Sequence, residues 1–371
     1  MAYGTVNADV IQSSVSGVSL GAGNASIMKN RIINGAMVID QRNAGASVTP
    51  TDGQYTLDRW KAQLSQTGKF SAQQSTTSPL GFVNSQKFTS LSAYTVSSSD
   101  YFNIAQYIEG YNVADLGWGT ANAKTVTLSF WVYSSLTGTF GGSIINATNN
   151  RSYPFSYSIP VANTWIQASV TIVGDTTGTW ATDNTSGPQI RWSLGTGSSR
   201  QGTAGAWVSS QIFSVTGEQQ IVATNGATFY ITGVQLEVGS SATGYEYRPY
   251  GTELALCQRY CQQQAGLANS YAPIGFVQMY NTTQGSFTFG MPCPMRVQPS
   301  LTTVGTIYVQ NANINISSFG GPYGPGTSSN GGSGTLFDCD LTLASAWTSG
   351  SVGLIRFNNQ STRSFLLTAE L

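Results

Sequence analysis

The chain has 371 residues, only 9% of them charged, and its sixteen basic and sixteen acidic side chains cancel to a net charge of zero. A charged fraction so far below the roughly 25% of an ordinary soluble domain, with no basic surplus, argues against nucleic acid and membrane insertion. Histidine is absent, which removes Ser-His-Asp and Cys-His nucleophile systems and nearly all zinc chemistry. Gly, Ser, Thr and Asn dominate, a mixture suited to strands and tight turns rather than helices. The four cysteines form no disulfide ladder and read as buried free thiols. No secretory leader and no apolar run of about 18 residues is apparent, so a protein made in a reducing cytoplasm is expected.

Residues 1–28 are small and polar, with too little apolar surface for a core of their own. They read as an attachment arm, or else as a disordered leader. From residue 29 to 250 the pattern is that of an antiparallel β-sandwich of jelly-roll type, with roughly ten short strands separated by turn residues. In KTVTLSFWVY, Val126, Leu128, Phe130 and Val132 share one face; in TWIQASVTIVG, Ile166, Ala168, Val170 and Ile172 do; in QIRWSLG, Ile190, Trp192 and Leu194 do. In ATFYITGVQLEVG the inward parity of Phe229 and Ile231 passes to Val234, Leu236 and Val238 after Gly233, the signature of a β-bulge.

Residues 251–266 carry the one helix signal, a connector in which Thr252 can cap and Leu254, Cys257, Cys261 and Ala265 form a narrow apolar stripe. So thin a stripe is not stable alone. Either symmetry mates at a threefold axis cover it, making Leu254, Cys257 and Cys261 oligomer contacts, or its own domain does. Residues 267–371 form a smaller distal β domain interrupted by the long loop Gly320–Gly334. The fold class expected is therefore all-β: an extended arm, a jelly roll, a short helix and a distal β domain.

Catalytic patterns are scarce. No P-loop, nicotinamide fingerprint or metal-ligand cluster is present, so neither cofactor nor metal is expected and the chain reads as a non-enzyme. Asp338 and Asp340 flank Cys339 on one strand face, as a calcium-approaching or a solvated pair. Asp58, Asp100, Glu109, Asp115 and Asp175 are candidates for a spatial pair of carboxylates, as glycoside hydrolysis needs. The aromatics say more. Trp131 opposes the Val126/Leu128 face beside Thr127, Ser129 and Tyr133, and Trp165 opposes the Ile166/Val170 face. Trp118, Trp180 and Trp207 sit in turns rich in Gly, Thr and Asn. An aromatic surface with amides and hydroxyls beside it suits sugar C–H stacking with hydroxyl hydrogen bonds. The competing role for the same rings is a second packing layer or a subunit interface. Tyr308, Tyr323 and Trp347 offer a second set in the distal domain.

The segments NRIINGAMVIDQRNAG, YTLDRW, EGYNVADLGWGTANAKTVTLSFWVYSSLTGTFGGSI, NRSYPFSYSI, NGATFYITGVQLEVG and YEYRPYGTELALCQRY resemble, in order and over residues 29–262, a recurrent module of bacteriophage tail-fibre and minor structural proteins. The FYITGVQLE strand also resembles the closing strand of jelly-roll carbohydrate-binding modules. The first resemblance implies a virion component assembled in the bacterial cytoplasm, commonly a homotrimeric fibre that contacts host-surface polysaccharide. Residues 1–28 would then dock on other virion proteins, and the distal domain would project outward. The resemblance carries no set of binding residues onto this sequence.

Overall fold

In the computed structural model the described residues are 28–264, 273–310, 312, 314–323, 336–357 and 364–371. The expected arm therefore lies, except for Met28, outside the described residues, as does most of the Gly320–Gly334 loop. The first unit runs through β1 (Tyr55–Leu57), β2 (Trp60–Leu64), β3 (Phe70–Ser75), β4 (Ser85–Ser90), β5 (Tyr101–Glu109), β6 (Val126–Ser134) and β7 (Gly138–Ile145). It continues through β8 (Ser152–Ile159), β9 (Ile166–Ile172), β10 (Ser186–Thr196), the two-residue strands β11 (Gln201–Gly202) and β12 (Ser214–Val215), and β13 (Thr228–Val238). A six-stranded sheet in the order β1-β2-β5-β10-β7-β8 faces a five-stranded sheet in the order β3-β4-β13-β6-β9. This is an all-β sandwich of jelly-roll type.

Alternation along each strand puts every second side chain between the sheets. Val126, Leu128, Phe130 and Val132 of β6 and Ile190, Trp192 and Leu194 of β10 are fully buried there. Trp192 meets Trp60 at 5.6 Å and Phe130 at 5.5 Å between ring centroids. Removal of such rings from water, worth about 1.5–3 kcal/mol each, is the main force closing the two sheets. The expected bulge is present: the β13–β6 register shifts between Thr232 and Gln235, and Gly233 takes φ 59°. A Cβ there would lie 2.6 Å from Cζ of Phe82 and 2.9 Å from Cδ1 of Trp131. Glycine is thus required both by the left-handed backbone and by the rings that close over it.

The helix differs from expectation. α1 spans only Tyr250–Gln258, is preceded by Pro249 without a side-chain cap, and holds Thr252 inside its first turn. Cys261 belongs instead to β14 (Cys261–Gln264), which pairs with β22 (Ser364–Thr368). The second β unit therefore begins ahead of residue 267. Cys257 and Cys261 are fully buried within their own chain, Cys257 packing with Ile33, Ile39 and Tyr260 while Leu254, Val38 and Leu371 lie against that cluster. The stripe is closed by its own domain, so Cys257 and Cys261 offer nothing to a neighbouring subunit. Leu254 is half-buried on the same cluster.

The second unit continues through β15 (Pro273–Met279), β16 (Gln284–Gly290), β17 (Ser300–Val304), β18 (Ile307–Val309), β19 (Ile314–Tyr323), β20 (Leu336–Leu343) and β21 (Val352–Phe357). Six of these close into the barrel β15-β16-β20-β19-β18-β21, and β17 joins β22 and β14 in a three-stranded sheet. Rather than only projecting, this unit is fastened to the sandwich by charge. Glu370 accepts from Arg42 at 3.0 Å and from the fully buried Arg59, and the Tyr55 hydroxyl donates to Leu371 O at 2.7 Å. Arg296 spans the junction, donating to Ala369 O, Glu370 O and Asn184 O. Burial pushes the nearby Asp58 carboxyl up to about 6, against the opposing pull of Arg42 and Gln41. Paired buried charges of this kind hold a junction in one geometry, because separating them leaves an uncompensated charge.

Candidate functional site

The five predicted tryptophans of the jelly roll fall into two groups with opposite chemistry. Trp118, Trp180 and Trp207, from three separate turns, converge edge to face with centroid distances of 4.9, 5.4 and 5.4 Å. Each indole N–H is used internally: Trp118 donates to Lys124 O, Trp207 to Val173 O, and Trp180 to a carboxylate oxygen of Asp175. Asp175 is completely buried and accepts also from Arg151, from the Gly178 amide and from the Thr177 hydroxyl. Burial raises its pKa, but the bonds from Arg151, Trp180 and Gly178 outweigh this and leave the carboxyl below its usual range. Trp118 itself is buried. A shallow cavity of about 260 Å³ lies elsewhere, whereas beside this triad the lining of Trp118, Thr120, Trp180, Thr182 and Pro188 encloses only about 180 Å³. The triad is a clamp that ties three turns together around one carboxylate.

Trp131 and Trp165 lie on the outer face of the five-stranded sheet. There the strand register sets Gln73, Lys87, Tyr230 and Tyr133 in one row across β3, β4, β13 and β6. Trp165 closes the row at 5.5 Å from Tyr133, and Tyr133 stands at 5.0 Å from Tyr230. The Lys87 ammonium sits 5.7 Å from the Tyr230 ring centroid. The adjacent row reads Thr232, Trp131 and Gln167. Trp131 and Trp165 are half-buried, and among the described residues no acceptor meets either indole N–H.

Beyond the bulge the aromatic surface continues through Phe82 to Tyr245 and Tyr247, at 5.1 and 5.5 Å. The 260 Å³ cavity opens here between Ala36, Val38, Phe82, Val83, Tyr247 and Arg248. Gln167, Ser169 and Thr171 of β9 are exposed along the same face. Tyr230 is buried beneath its neighbours, while the half-buried Trp131, Tyr133 and Trp165, with free indole donors, amides and hydroxyls beside them, form the surface that a sugar chain needs: apolar C–H faces to stack and polar edges to bond.

Tyr133, Tyr230, Lys87, Phe82 and Tyr247 were not among the predicted site residues. The outward parity of Tyr230, between buried Phe229 and Ile231, was their legible signal; Phe82 and Tyr247 come from loops and had none.

The remaining candidates separate. Tyr308 is buried and accepts from Arg356 Nε at 2.9 Å, so it is no open platform. Trp347 is half-buried against the barrel core. The side chains of Tyr323 and Asp338 lie outside the described residues. The five carboxylates considered as a catalytic pair are engaged separately: Asp58 with Gln41, Asp100 with Ser65, Glu109 with Arg259, Asp115 with Arg31, and Asp175 with Arg151. Among the described residues no three His, Cys, Asp or Glu side chains gather as a metal site requires.

Fold and surface together define an all-β jelly-roll protein with an open aromatic face. No family model matches the chain, and no curated protein matches it. Solved structures similar to it include the enzymatically active domain of tailspike protein 4 of bacteriophage CBA120, with a TM-score of 0.31 and 16% identity over 57% of this chain and 22% of that one. A family 11 carbohydrate-binding module of a cellulosomal cellulase of Clostridium thermocellum gives 0.27 and 13% over 54% of this chain and all of the module. The xylan-binding domain CBM22-1 of Paenibacillus barcinonensis gives 0.28 and 10% over 54% and 99%. The chain thus spans under a quarter of the length of the tailspike's solved domain, and at these scores no residue or activity transfers from any of the three.

Proposed function

We propose that the chain is a non-enzymatic virion component of phage tail-fibre type that attaches to host-surface polysaccharide through the outer face of its five-stranded sheet. The observation that carries the binding reading is the contrast between tryptophans. Trp118, Trp180 and Trp207 spend every indole N–H inside the protein, while the half-buried Trp131 and Trp165 keep theirs open on the sheet's outer face. The phage assignment, a homotrimeric state and docking of residues 1–28 on other virion proteins rest on the sequence resemblance over residues 29–262. The helix stripe, closed by its own chain, lends the trimer no support.

The test is saturable binding of fluorescently labelled protein to intact host cells, before and after enzymatic removal of surface polysaccharide. Binding lost on stripping, and lost in a Trp131→Ala, Trp165→Ala double variant that still folds, supports the reading. A folded protein that binds no susceptible strain overturns it and leaves a purely structural virion role. Sedimentation at micromolar concentration tests the trimer, which a single-protomer mass overturns.

A further inference from the structure

The opposite face of the sandwich carries a different, independent feature. On the outer side of the six-stranded sheet, Arg191 is buried at 2% exposure with amides as its hydrogen-bond acceptors: its Nη2 donates to Asn149 Oδ1 at 3.2 Å and to Gln189 Oε1 at 2.5 Å. Arg200 donates to Gln211 Oε1. The two guanidinium carbons lie 4.4 and 5.0 Å from the centroid of the same ring, Phe213. The Nε of each has no partner. Neither forms an ion pair with any carboxylate among the described residues. A buried cation without a counter-ion is costly, and a second cation beside it raises the cost. Burial pulls the Arg191 pKa below its ordinary value, and Arg200 adds to that pull against Tyr107, Tyr101 and Asp52.

The same face holds further unpartnered groups. The register sets Lys61, Ala105, Arg191 and Ser143 in one row, with Gln63, Asn103 and Ser193 in the next. Both amide atoms of the fully buried Asn103, Oε1 of Gln63 and Oγ of Ser143 have no partner. Buried polar atoms are nearly always satisfied, so four such atoms on three residues of adjacent rows mark this face as more polar than the fold itself satisfies. Tyr101, at 5.3 Å from Phe213, stands half-exposed with Gln63, Lys61 and Arg200 at the rim.

We infer that this face binds an acidic saccharide, its carboxylate set between Arg191 and Arg200 and its hydroxyls meeting Gln63, Lys61 and Tyr101 at the half-exposed rim. A carboxylate supplies what the two guanidiniums lack, since charge-assisted bonds to a planar fork are the strongest such site can make. Vicinal hydroxyls, each both donor and acceptor, match the amide, ammonium and phenol groups of that rim. The site shares no residue with the aromatic row on the other sheet.

Calorimetric titration of the full chain with sialyllactose and with oligogalacturonate, each beside its neutral counterpart (lactose, oligogalactan), tests this. At least one acidic ligand is expected to bind saturably and at least about tenfold tighter than its neutral partner. Arg200→Gln, at the half-exposed rim, is expected to weaken that binding about tenfold, Arg191→Gln to remove it, and Val352→Ser, exposed on the distal barrel, to leave it unchanged. Should Arg191→Gln not fold, Arg200→Gln decides. No binding of either acidic ligand, equal binding of acidic and neutral partners, or an unaffected Arg200→Gln variant overturns the inference. An equal loss in Val352→Ser also overturns it, since the effect would then not belong to this face.

Discussion

Two tryptophan clusters in one sandwich, built from the same residue type, end with opposite roles. The Trp118–Trp180–Trp207 triad is wrapped around a buried carboxylate, and each indole donor is consumed by a backbone carbonyl or by Asp175. The Trp165–Tyr133–Tyr230 row lies on a sheet surface, where cross-strand register lines the rings up and leaves Trp165 and Tyr133 half-buried over the buried Tyr230. An aromatic ring is therefore not by itself a binding platform. What decides is where its polar edge goes, because a satisfied N–H has nothing left to offer a ligand.

Substitutions sharpen this comparison. The largest effect is expected at the triad: Asp175→Ala strands Arg151 and frees the Trp180 and Gly178 N–H groups, costing about 3–5 kcal/mol of stability by urea unfolding. Cell binding by the fraction that remains folded stays unchanged. The same carboxyl predicts a pH effect. Its folded pKa is depressed below 3.8, so its contribution is present above about pH 4 and is lost as pH falls through the lower folded value. An acid titration of stability should show that slope in the wild type and lose it in Asp175→Asn.

Next comes the row. Trp165→Ala should weaken binding to polysaccharide-bearing cells by about 2 kcal/mol, near thirtyfold, while altering stability by less than about 1 kcal/mol. The reverse pattern would place Trp165 with the triad and break the distinction. Gly233→Ala should cost about 1–2 kcal/mol through its left-handed backbone, and should weaken binding because the new methyl displaces Phe82 and Trp131. The smallest effect is expected for Lys87→Met, which removes a cation near Tyr230: under about 0.5 kcal/mol in stability and two- to threefold in binding.

Much of the sandwich was legible because period-2 alternation is a local property. Val126 to Val132 and Ile190 to Leu194 declare their inward face without reference to any partner strand, and Gly233 declares its bulge by the parity change on either side. The outward position of Trp131 and Trp165 followed from the same rule. The helix was misjudged for a physical reason: nine residues with a thin stripe have no local signal strong enough to mark their end. Cys261 was counted into that stripe, although pairing with Thr368, more than a hundred positions later, makes it a strand residue.

The sequence by itself determined the all-β class, the faces of the long strands, the glycine at the bulge, and the shortage of catalytic side chains that follows from having no histidine. These depend on neighbours one to four positions away. Only the tertiary structure decided that three tryptophans from distant turns meet on Asp175, that Lys87, Tyr230, Tyr133 and Trp165 share a row, that Glu370 closes onto Arg42 and Arg59, and that Arg191 and Arg200 share Phe213 without a carboxylate. Each of these is set by strand register and chain return, which bring together residues whose separation along the chain carries no information about their distance in space.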